Sequence, residues 1–529
     1  MTRSRLLALL VLVNFHMLAV AGEIDLGPAD RAILGGYARD TWKSFDALAL
    51  PSGLPADLMS RTGESWTLAY YSSPSDIAAY LWSILAAEDL AIIPTEEATL
   101  RLGRTLSTLE GMERSHGFFF NWYDPRNGST LKSLPGGGPV RPFLSTVDNG
   151  WLAAALIMIR NARPNFRVTA DRLLEPMNFG FFFDPYNPAN PSMHPGLLRG
   201  GYYPDDNTYA TFHYGILNTE TRIASYIAIA RGQVPPEHYY RMARYRTPET
   251  GAVYPGCRGE VRKYFGVDVE EGYRKHRGIK VVPSWDGSMF EALMVSLFIP
   301  EAEWAPRAWG VNHPLYVRAS IDYALGDDRL AAWGASPSSI PGGGYRVYGV
   351  PPLSVDGRNA DPAGETVITP HASFLALSFA PREAMRNINV LATRFHAYGE
   401  NGFFDSVDVI SGQVAESVLS IDQGMIMASI ANALADCTLQ RAFCSGNIAE
   451  VVHPLIAQEQ FGSGLEITES PQRSPATTSW IRSEANPTKR NQVGLDLFEA
   501  SRLMTYGHEL FAATGDTRKT EISLSPGSR

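Results

Sequence analysis

Two glutamates of this chain lie on helical faces that are otherwise apolar. One is Glu220, in the segment FHYGILNTETRIASYIAIARG (residues 212–232), and the other is Glu291, in PSWDGSMFEALMVSLF (residues 283–298). A carboxylate among apolar side chains is costly unless it is paired or protonated. Perturbed carboxyls of this kind cluster at functional sites, so the pair indicates acid and base chemistry. Helical spacing aligns Glu220 with Leu217, Ala224 and Ile227, and Glu291 with Met294, Val295 and Phe298.

Two aspartates share this placement near a predicted helix start. Asp148 opens the run DNGWLAAAL, and Asp422 opens DQGMIMASI. Helix N-termini favour the anionic form of a carboxyl and apolar walls favour its protonated form, so neighbouring acids can acquire different pKa values. Each aspartate could instead be a simple helix cap. For the glutamates the alternative is a buried ion pair, with Arg222 or Arg318 as the partner.

Aromatic side chains occur in the loops and helix starts near these acids. Flat aromatic faces suit the apolar faces of sugar rings, although core packing is an alternative for each ring. Three histidines, His213, His313 and His371, are scattered along the chain, and we interpret them as structural. The candidate sugar-binding aromatics are Trp122, Tyr123, Trp151, Tyr203, Trp285, Trp333 and Tyr345.

The composition describes a globular chain of 529 residues with a net charge of −9 and no basic stripe, which argues against a nucleic-acid partner.

Residues 1–21 have the pattern of a secretory signal, with Arg3 and Arg5 before an apolar run and Ala19-Val20-Ala21 at its end. An uncleaved membrane anchor is the alternative. No later segment is long and apolar enough to cross a membrane, so we expect a secreted or periplasmic protein without a stable span after cleavage.

Helical patterns alternate with long loops rich in Gly, Pro and aromatic residues. Ser73, Pro74 and Asp76 mark one helix start clearly. Roughly a dozen such helices favour an all-α fold in which helical hairpins close into a toroid, with a solenoid or two unequal domains as alternatives. We expect residues 22–514 to form one domain, with a last helix over Val493–Ala513 and a polar, mobile tail at 515–529.

Ten sequence blocks resemble, in order, the bacterial glucoamylase-like family. Its relatives include endo-β-1,2-glucanases and the glucan-processing domains of cyclic β-1,2-glucan synthases. The resemblance spans roughly Tyr37 to Ala433 and implies an (α/α)6 barrel that cleaves a glucan with two acids. The blocks are SPSDIAAYLWSILAAEDL, GFFFNWYDPRNG, FLSTVDNGWLAAAL, YGILNTETRIASYIAIARGQVP, SWDGSMFEALM, NHPLYVRASIDYAL, WGASPSS with GGYRVYG, VITPHASFLAL, NGFFDSVD and SIDQGMIMASIAN.

The resemblance also carries individual residues. Relatives commonly read S-E-A-R-L where this chain has Thr219–Ile223, which keeps Glu220 and Arg222, and I-D-Q-G matches Asp422 with Gln423. Relatives have a tyrosine where this chain has Ala292, so substrate preference can differ. The resemblance thus adds Arg222 and Gln423 to the expected substrate-binding residues.

The sequence therefore predicts a glycoside hydrolase acting on a β-glucan, with β-1,2 linkages among the candidates and no metal or cofactor. Glu220 is the expected general acid and Asp148 the first candidate for the base, while Glu291 and Asp422 line the same site and could exchange roles with Asp148. A transglycosylase or phosphorylase on the same fold, or a non-catalytic glycan-binding envelope protein, remain alternatives. We expect a monomer.

Overall fold

The structure is a computed structural model that describes residues 26–134, 138–245, 257–327, 329–355 and 366–466. The predicted signal at 1–21, the predicted helix Val493–Ala513 and the tail at 515–529 lie outside these residues. Within the described ranges, no helix has the length and apolar character that crossing a membrane requires.

Helices dominate the described residues, as the sequence predicts. Several begin where the sequence carries a start signal. The helix after Ser73 has a capping box, in which Ser73 Oγ accepts from the Asp76 backbone N–H at 3.2 Å and the Asp76 carboxylate accepts from the Ser73 N–H at 2.8 Å. The helices are α1 Pro28–Leu48, α2 Pro74–Asp89, α3 Thr95–Gly111, α4 Thr146–Ala162, α5 Arg167–Leu174, α6 Arg222–Ala230, α7 Glu237–Arg241, α8 Met289–Leu293, α9 Glu301–Trp304, α10 Trp309–Asp322, α11 Pro370–Leu375, α12 Pro381–Thr393, α13 Ser420–Leu434, α14 Thr438–Cys444 and α15 Asn447–Ile456.

The all-α prediction is too narrow, because many of the connecting loops pair into short antiparallel strands. The backbone N–H and C=O groups of these loops need hydrogen-bond partners where the loops are buried, and pairing between neighbouring loop segments supplies them. In one three-stranded sheet, Met59 pairs with both Leu68 and Val418. The strands are β1 Leu58–Thr62, β2 Ser65–Leu68, β3 Arg114–Ser115, β4 Phe118–Phe119, β5 Tyr123–Asp124, β6 Ser129–Thr130, β7 Leu144–Ser145, β8 Phe183–Asp184, β9 Leu197–Leu198, β10 Gly201–Tyr203, β11 Thr208–Tyr209, β12 Val261–Tyr264, β13 Val267–Glu270, β14 Arg274–His276, β15 Ile279–Val281, β16 Ser338–Ser339, β17 Tyr345–Arg346, β18 Val367–Ile368, β19 Tyr398–Gly399, β20 Gly402–Phe403, β21 Ser406–Asp408, β22 Val414–Ala415, β23 Ser417–Leu419 and β24 Gly464–Leu465.

Six helices form a closed cycle of contacts: α2 packs on α4, α4 on α6, α8 on α11, α11 on α13, and α13 again on α2. The remaining contact, between α6 and α8, includes hydrogen bonds from the Arg222 guanidinium to the carbonyl oxygens of Glu291 and Ala292 at 3.3 and 2.9 Å. Each cycle helix also packs against a second helix outside it: α3 on α2, α5 on α4, α15 on α6, α10 on α8, α12 on α11 and α1 on α13.

The interior of the cycle is apolar and tightly packed. The buried rings of Trp82 on α2 and Trp151 on α4 meet with centroids 6.0 Å apart, and both contact Phe298. Small residues let the cycle helices approach closely, since a Cβ on Gly150 of α4 would lie 2.9 Å from the Ala224 Cβ of α6. The cycle therefore fixes the distance between helices that carry the predicted acids.

Candidate active site

A cleft of about 1020 Å³, including solvent at its mouth, opens where the cycle helices begin. All four predicted acids line it: Asp148, Glu220, Glu291 and Asp422. The sequence places these residues up to 274 positions apart, so the shared helix-start position is what brings them together. The cleft wall consists of Asp57, Ser73, Ser75, Asp76, Asn121, Trp122, Ser145, Val147, Asp148, Glu220, Trp285, Asp286, Phe290, Glu291, Pro337, Tyr345, Val347, Ile421 and Asp422.

Glu220 does not lie inside a helix, and this corrects the predicted stripe. Helix α6 begins only at Arg222, because the backbone before it bonds to neighbouring segments. The Tyr214 N–H donates to the Leu198 carbonyl at 2.8 Å and the Leu217 N–H donates to the Ala243 carbonyl at 2.9 Å. Glu220 therefore enters the cleft from the segment just before α6.

The Glu220 carboxyl is largely enclosed by protein and accepts one hydrogen bond from a side chain packed behind the cleft wall. The Trp151 indole N–H donates to Glu220 Oε2 at 2.5 Å. Burial raises the pKa of Glu220 to about 8; the Trp151 hydrogen bond lowers this pKa, while the charges of Asp148 and Asp286 raise it. This pKa favours the protonated carboxyl at neutral pH, and the Glu220 side chain is partly exposed to the cleft.

Glu291 is fixed to the Glu220 backbone. Its Oε2 accepts a hydrogen bond from the Glu220 N–H at 3.1 Å, and its own N–H donates to the N-cap hydroxyl of Ser288 at 3.2 Å. Burial, together with the neighbouring Asp286 and Glu220 carboxyls, raises the pKa of Glu291 well above its ordinary value. The Glu291 carboxyl is therefore held against the Glu220 segment by this hydrogen bond.

The two aspartates differ in their surroundings. Asp148 Oδ1 accepts from the Ser75 hydroxyl at 2.6 Å, and burial raises the pKa of Asp148 while hydrogen bonds from Ser145 and Ser75 oppose the rise. For Asp422, burial and the adjacent Asp405 carboxyl raise the pKa well above its ordinary value. Asp148 thus accepts hydrogen bonds that favour its ionised form, as a base requires, whereas Asp422 faces a neighbouring carboxyl.

Arg222 and Arg318 pair with neither glutamate. The buried Arg222 guanidinium binds Glu301 through both carboxylate oxygens at 2.7 and 2.8 Å and also donates to the Thr219 carbonyl, while Arg318 is exposed. The alternative of a buried ion pair for Glu220 or Glu291 is thus wrong. Arg222 lies behind the wall and ties the backbones around the two glutamates together, so the structure does not bring it to the substrate side.

The predicted aromatic residues divide into two groups. Trp122, Trp285 and Tyr345 line the cleft, and Trp151 supports Glu220 from behind. The structure does not bring the remaining candidates to the wall. Tyr123 is buried and donates to the Glu113 carbonyl, Tyr203 stacks under Arg141, Trp333 is held by Asn387, and Gln423 donates to the Phe403 carbonyl.

Three further acids of the cleft wall, Asp57, Asp76 and Asp286, escape the sequence analysis. Asp76 carries the same helix-start signal as Asp148, but the sequence analysis uses it only to mark the start of that helix. Burial raises the pKa of Asp76 to about 6 and that of Asp286 to about 6, in each case against hydrogen bonds that lower it. Seven carboxyls line the cleft, and no lysine or arginine is among the described residues of its wall.

Comparison with known proteins finds two family models that each match part of the chain. Residues 252–446 match the family model described as "Putative glucoamylase", and residues 36–180 match "Protein of unknown function (DUF3131)". The chain is 23% identical, over 578 aligned positions, to the cyclic beta-(1,2)-glucan synthase NdvB of Rhizobium meliloti (strain 1021). That match covers 80% of this chain but only 18% of the synthase, so the chain spans less than a fifth of that relative's length.

Solved structures supply the fold. A "putative glucoamylase" from Bacteroides fragilis NCTC 9343 superposes with a TM-score of 0.61 at 18% identity, covering 83% of this chain and 98% of that one. The endo-beta-1,2-glucanase from Chitinophaga pinensis, in complex with sophorotriose and glucose, gives a TM-score of 0.59 at 16% identity, with coverages of 80% and 97%. The resemblance to the glucoamylase-like family is confirmed, and these structures share the fold of this chain.

Proposed function

We propose that this protein is a glycoside hydrolase that cleaves a β-glucan, with Glu220 as the general acid. The observation that carries the proposal is the Glu220 carboxyl itself, whose pKa is raised to about 8 by burial in a cleft lined by acids and aromatic rings. A carboxyl that keeps its proton at neutral pH can deliver it to the departing glycosidic oxygen.

Asp148 is the base in this proposal. It lines the same cleft, its charge influences Glu220, and two hydroxyl donors favour its ionised form. In the hydrolytic step it would accept a proton from the attacking water while Glu220 protonates the leaving group. Glu291, which accepts a hydrogen bond from the Glu220 N–H, would hold that segment in position. Asp422 lies on α13, across the helix cycle from α6.

The uncharged character of glucans fits the electrostatics of the cleft. Sugar hydroxyls can donate to several carboxylates at once, and Trp122, Trp285 and Tyr345 offer apolar faces for the rings. Among β-glucans we favour β-1,2 linkages, because the Chitinophaga pinensis enzyme is an endo-beta-1,2-glucanase seen with sophorotriose and glucose.

We interpret the six-helix cycle and its outer partners as the (α/α)6 toroid expected from the resemblance. The closed sequence of helix contacts and the outer helix on each cycle helix support this interpretation. We further propose a single domain over residues 22–514 that acts as a monomer and is exported by the segment at 1–21.

A phosphorylase fits the cleft less well, because phosphorolysis needs a site for an inorganic anion. The described residues of the wall include no lysine or arginine that could bind phosphate. A transglycosylase would use the same acid but transfer the sugar to another glycan, and a glycan-binding envelope protein would bind without producing new ends.

Incubation of the purified protein with linkage-defined β-glucans, with and without inorganic phosphate, tests the proposal. We expect new reducing ends and shortened chains from β-1,2-glucan at a rate independent of phosphate. Glu220→Gln should abolish them, while Glu110→Gln, at an exposed residue bound to Arg172, should not. Sugar phosphates that form only with phosphate would instead identify a phosphorylase. Redistribution of chain lengths without a net gain of reducing ends would identify a transglycosylase. Glycan binding that survives Glu220→Gln, with no product at any enzyme concentration, would identify a binding protein.

A further inference from the structure

Beside the cleft, three buried side chains from different elements of the cycle converge on one point. His371 is the second residue of α11, Asp405 lies between β20 and β21, and Asp422 is the third residue of α13. One ligand atom from each lies within 4.8 Å of the other two. All three residues are at least 95% buried, with exposures of 1%, 2% and 5%.

Several polar atoms of this cluster lack a hydrogen-bond partner among the described residues: both ring nitrogens of His371, Asp405 Oδ1 and Asp422 Oδ2. His371 Nδ1 lies 3.6 Å from Asp422 Oδ1, too far for a hydrogen bond but pointing into the cluster. A buried imidazole with no partner on either nitrogen is costly, since each unsatisfied buried polar group costs about 1–3 kcal/mol. Asp405 Oδ2 accepts a hydrogen bond from the Ser339 N–H, and the two aspartates also contact each other, so His371 is the residue for which the arrangement indicates a missing partner.

The electrostatics indicate that this partner is a cation. The buried carboxyls of Asp57, Asp76 and Asp422 line the same cleft, Asp405 is buried beside Asp422, and no lysine or arginine is among the described residues of the wall, so ionised carboxylates there would repel one another. A bound cation would offset the repulsion and accept lone pairs from the imidazole and the carboxylates together.

We propose that His371, Asp405 and Asp422 bind one divalent transition-metal cation, with Zn²⁺ as the best match to the donor set. One imidazole nitrogen and two carboxylate oxygens are ligands that Zn²⁺ accepts at about 2.0–2.2 Å, with a fourth position left open. Ligand separations of about 3–4 Å follow from those bond lengths, so modest inward movements of the side chains would complete the site. Ca²⁺ and Mg²⁺ prefer sets made of oxygen alone.

The proposed ion would border the cleft, because Asp422 belongs to its wall. As a metal ligand Asp422 would be held deprotonated and in a fixed orientation. This assigns Asp422 a positioning role and leaves Asp148 as the base, but the metal site itself does not depend on the proposed hydrolysis.

Metal binding to the full chain, stripped with a chelator and then dialysed against Zn²⁺, Mn²⁺ or Ca²⁺, tests the site by elemental analysis. We expect about one Zn²⁺ per chain. His371→Gln and the nearly isosteric Asp405→Asn should each weaken binding by more than about 100-fold, since the loss of even an outer-shell partner costs about 10–100-fold. Circular dichroism identifies any variant that fails to fold, and the wild-type stoichiometry stands without the variants.

His213→Gln is the matched control, because that histidine also contacts a buried aspartate but is already satisfied. Its Nε2 lies 2.9 Å from Asp184 Oδ2, and Arg199 supplies the positive charge at the same oxygen. This variant should bind Zn²⁺ as the wild type does. Absence of stoichiometric Zn²⁺, binding of Ca²⁺ alone, or equal losses in His213→Gln and His371→Gln would overturn the proposal.

Discussion

The hydrogen bond from Trp151 to Glu220 offers a perturbation whose effect on the pH profile can be calculated. Trp151 is 1% exposed and its indole N–H donates to Glu220 Oε2 at 2.5 Å, so Trp151→Phe removes this donor while keeping an aromatic ring in the core. The bond favours the ionised carboxylate and lowers the pKa of Glu220. Its loss should therefore raise that pKa from its present value of about 8.

The size of the rise follows from the two protonation states. A hydrogen bond to a charged acceptor contributes about 1.5–3 kcal/mol and one to a neutral acceptor about 0.5–1.5 kcal/mol. Because Glu220 is partly exposed, we take the lower end of the difference, about 1 kcal/mol. At about 1.36 kcal/mol per pKa unit, the shift is somewhat below one unit.

The assay is the pH dependence of kcat/KM on β-1,2-glucan, which reports the free enzyme. Since Glu220 must be protonated to act, wild-type activity should fall as pH rises through about 8, and this limb should move upward in Trp151→Phe. Trp82→Phe is the matched control, because its equally buried indole donates to the Gly424 carbonyl instead. A limb that stays in place or moves to lower pH in Trp151→Phe would refute the reasoning.

Three further changes test the surrounding structure. Asp148→Asn should lower kcat/KM by about 10²–10⁴-fold and remove the acid limb of its pH profile, an expectation that fails if that limb persists. Glu301→Gln should destabilise the protein by about 3–5 kcal/mol in denaturant unfolding, because it leaves the Arg222 charge buried and unpaired; an unchanged midpoint would contradict this. The pKa of Glu301 is held at about 2 by Arg222, so the pair stabilises the wild type above pH 4.5 and this contribution disappears as pH falls towards 2, a loss that Glu301→Gln should not show. Gly150→Ala should lower both the unfolding midpoint and activity, because its Cβ would meet Ala224 at 2.9 Å and separate α4 from α6; full activity would show that this spacing is unimportant.

Much of the site follows from one sequence rule, that an acid near the start of an apolar helix enters a shared cleft. The rule brings Asp148, Glu291 and Asp422 together correctly because each is the third residue of its helix. Glu220 also lines the cleft, but it precedes its helix. Backbone hydrogen bonds to neighbouring segments keep the residues before Arg222 out of α6. Periodicity could not reveal those contacts, because they join Leu217 to a segment 26 residues further along.

Other residues depend on long-range packing that no local pattern encodes. Arg222 pairs with Glu301, 79 positions away, although Glu220 is only two residues distant. The sequence analysis interprets His371 as a structural histidine, and its position beside Asp405 and Asp422 becomes visible only when α11 and α13 meet. The positions and number of the short strands could not be predicted, because most are two or three residues long, below the length at which alternation can be recognised.

The central claim is that Glu220 protonates the leaving oxygen, and its most direct test compares two substrates in the wild type and the isosteric Glu220→Gln variant. One substrate is β-1,2-glucan, whose sugar leaving group needs a proton, and the other is an aryl β-sophoroside with a leaving group too acidic to need one. We expect Glu220→Gln to reduce kcat/KM on the glucan by about 10²–10⁴-fold while the aryl substrate loses far less. Full activity of Glu220→Gln on the glucan, or equal losses on both substrates, would contradict the assignment.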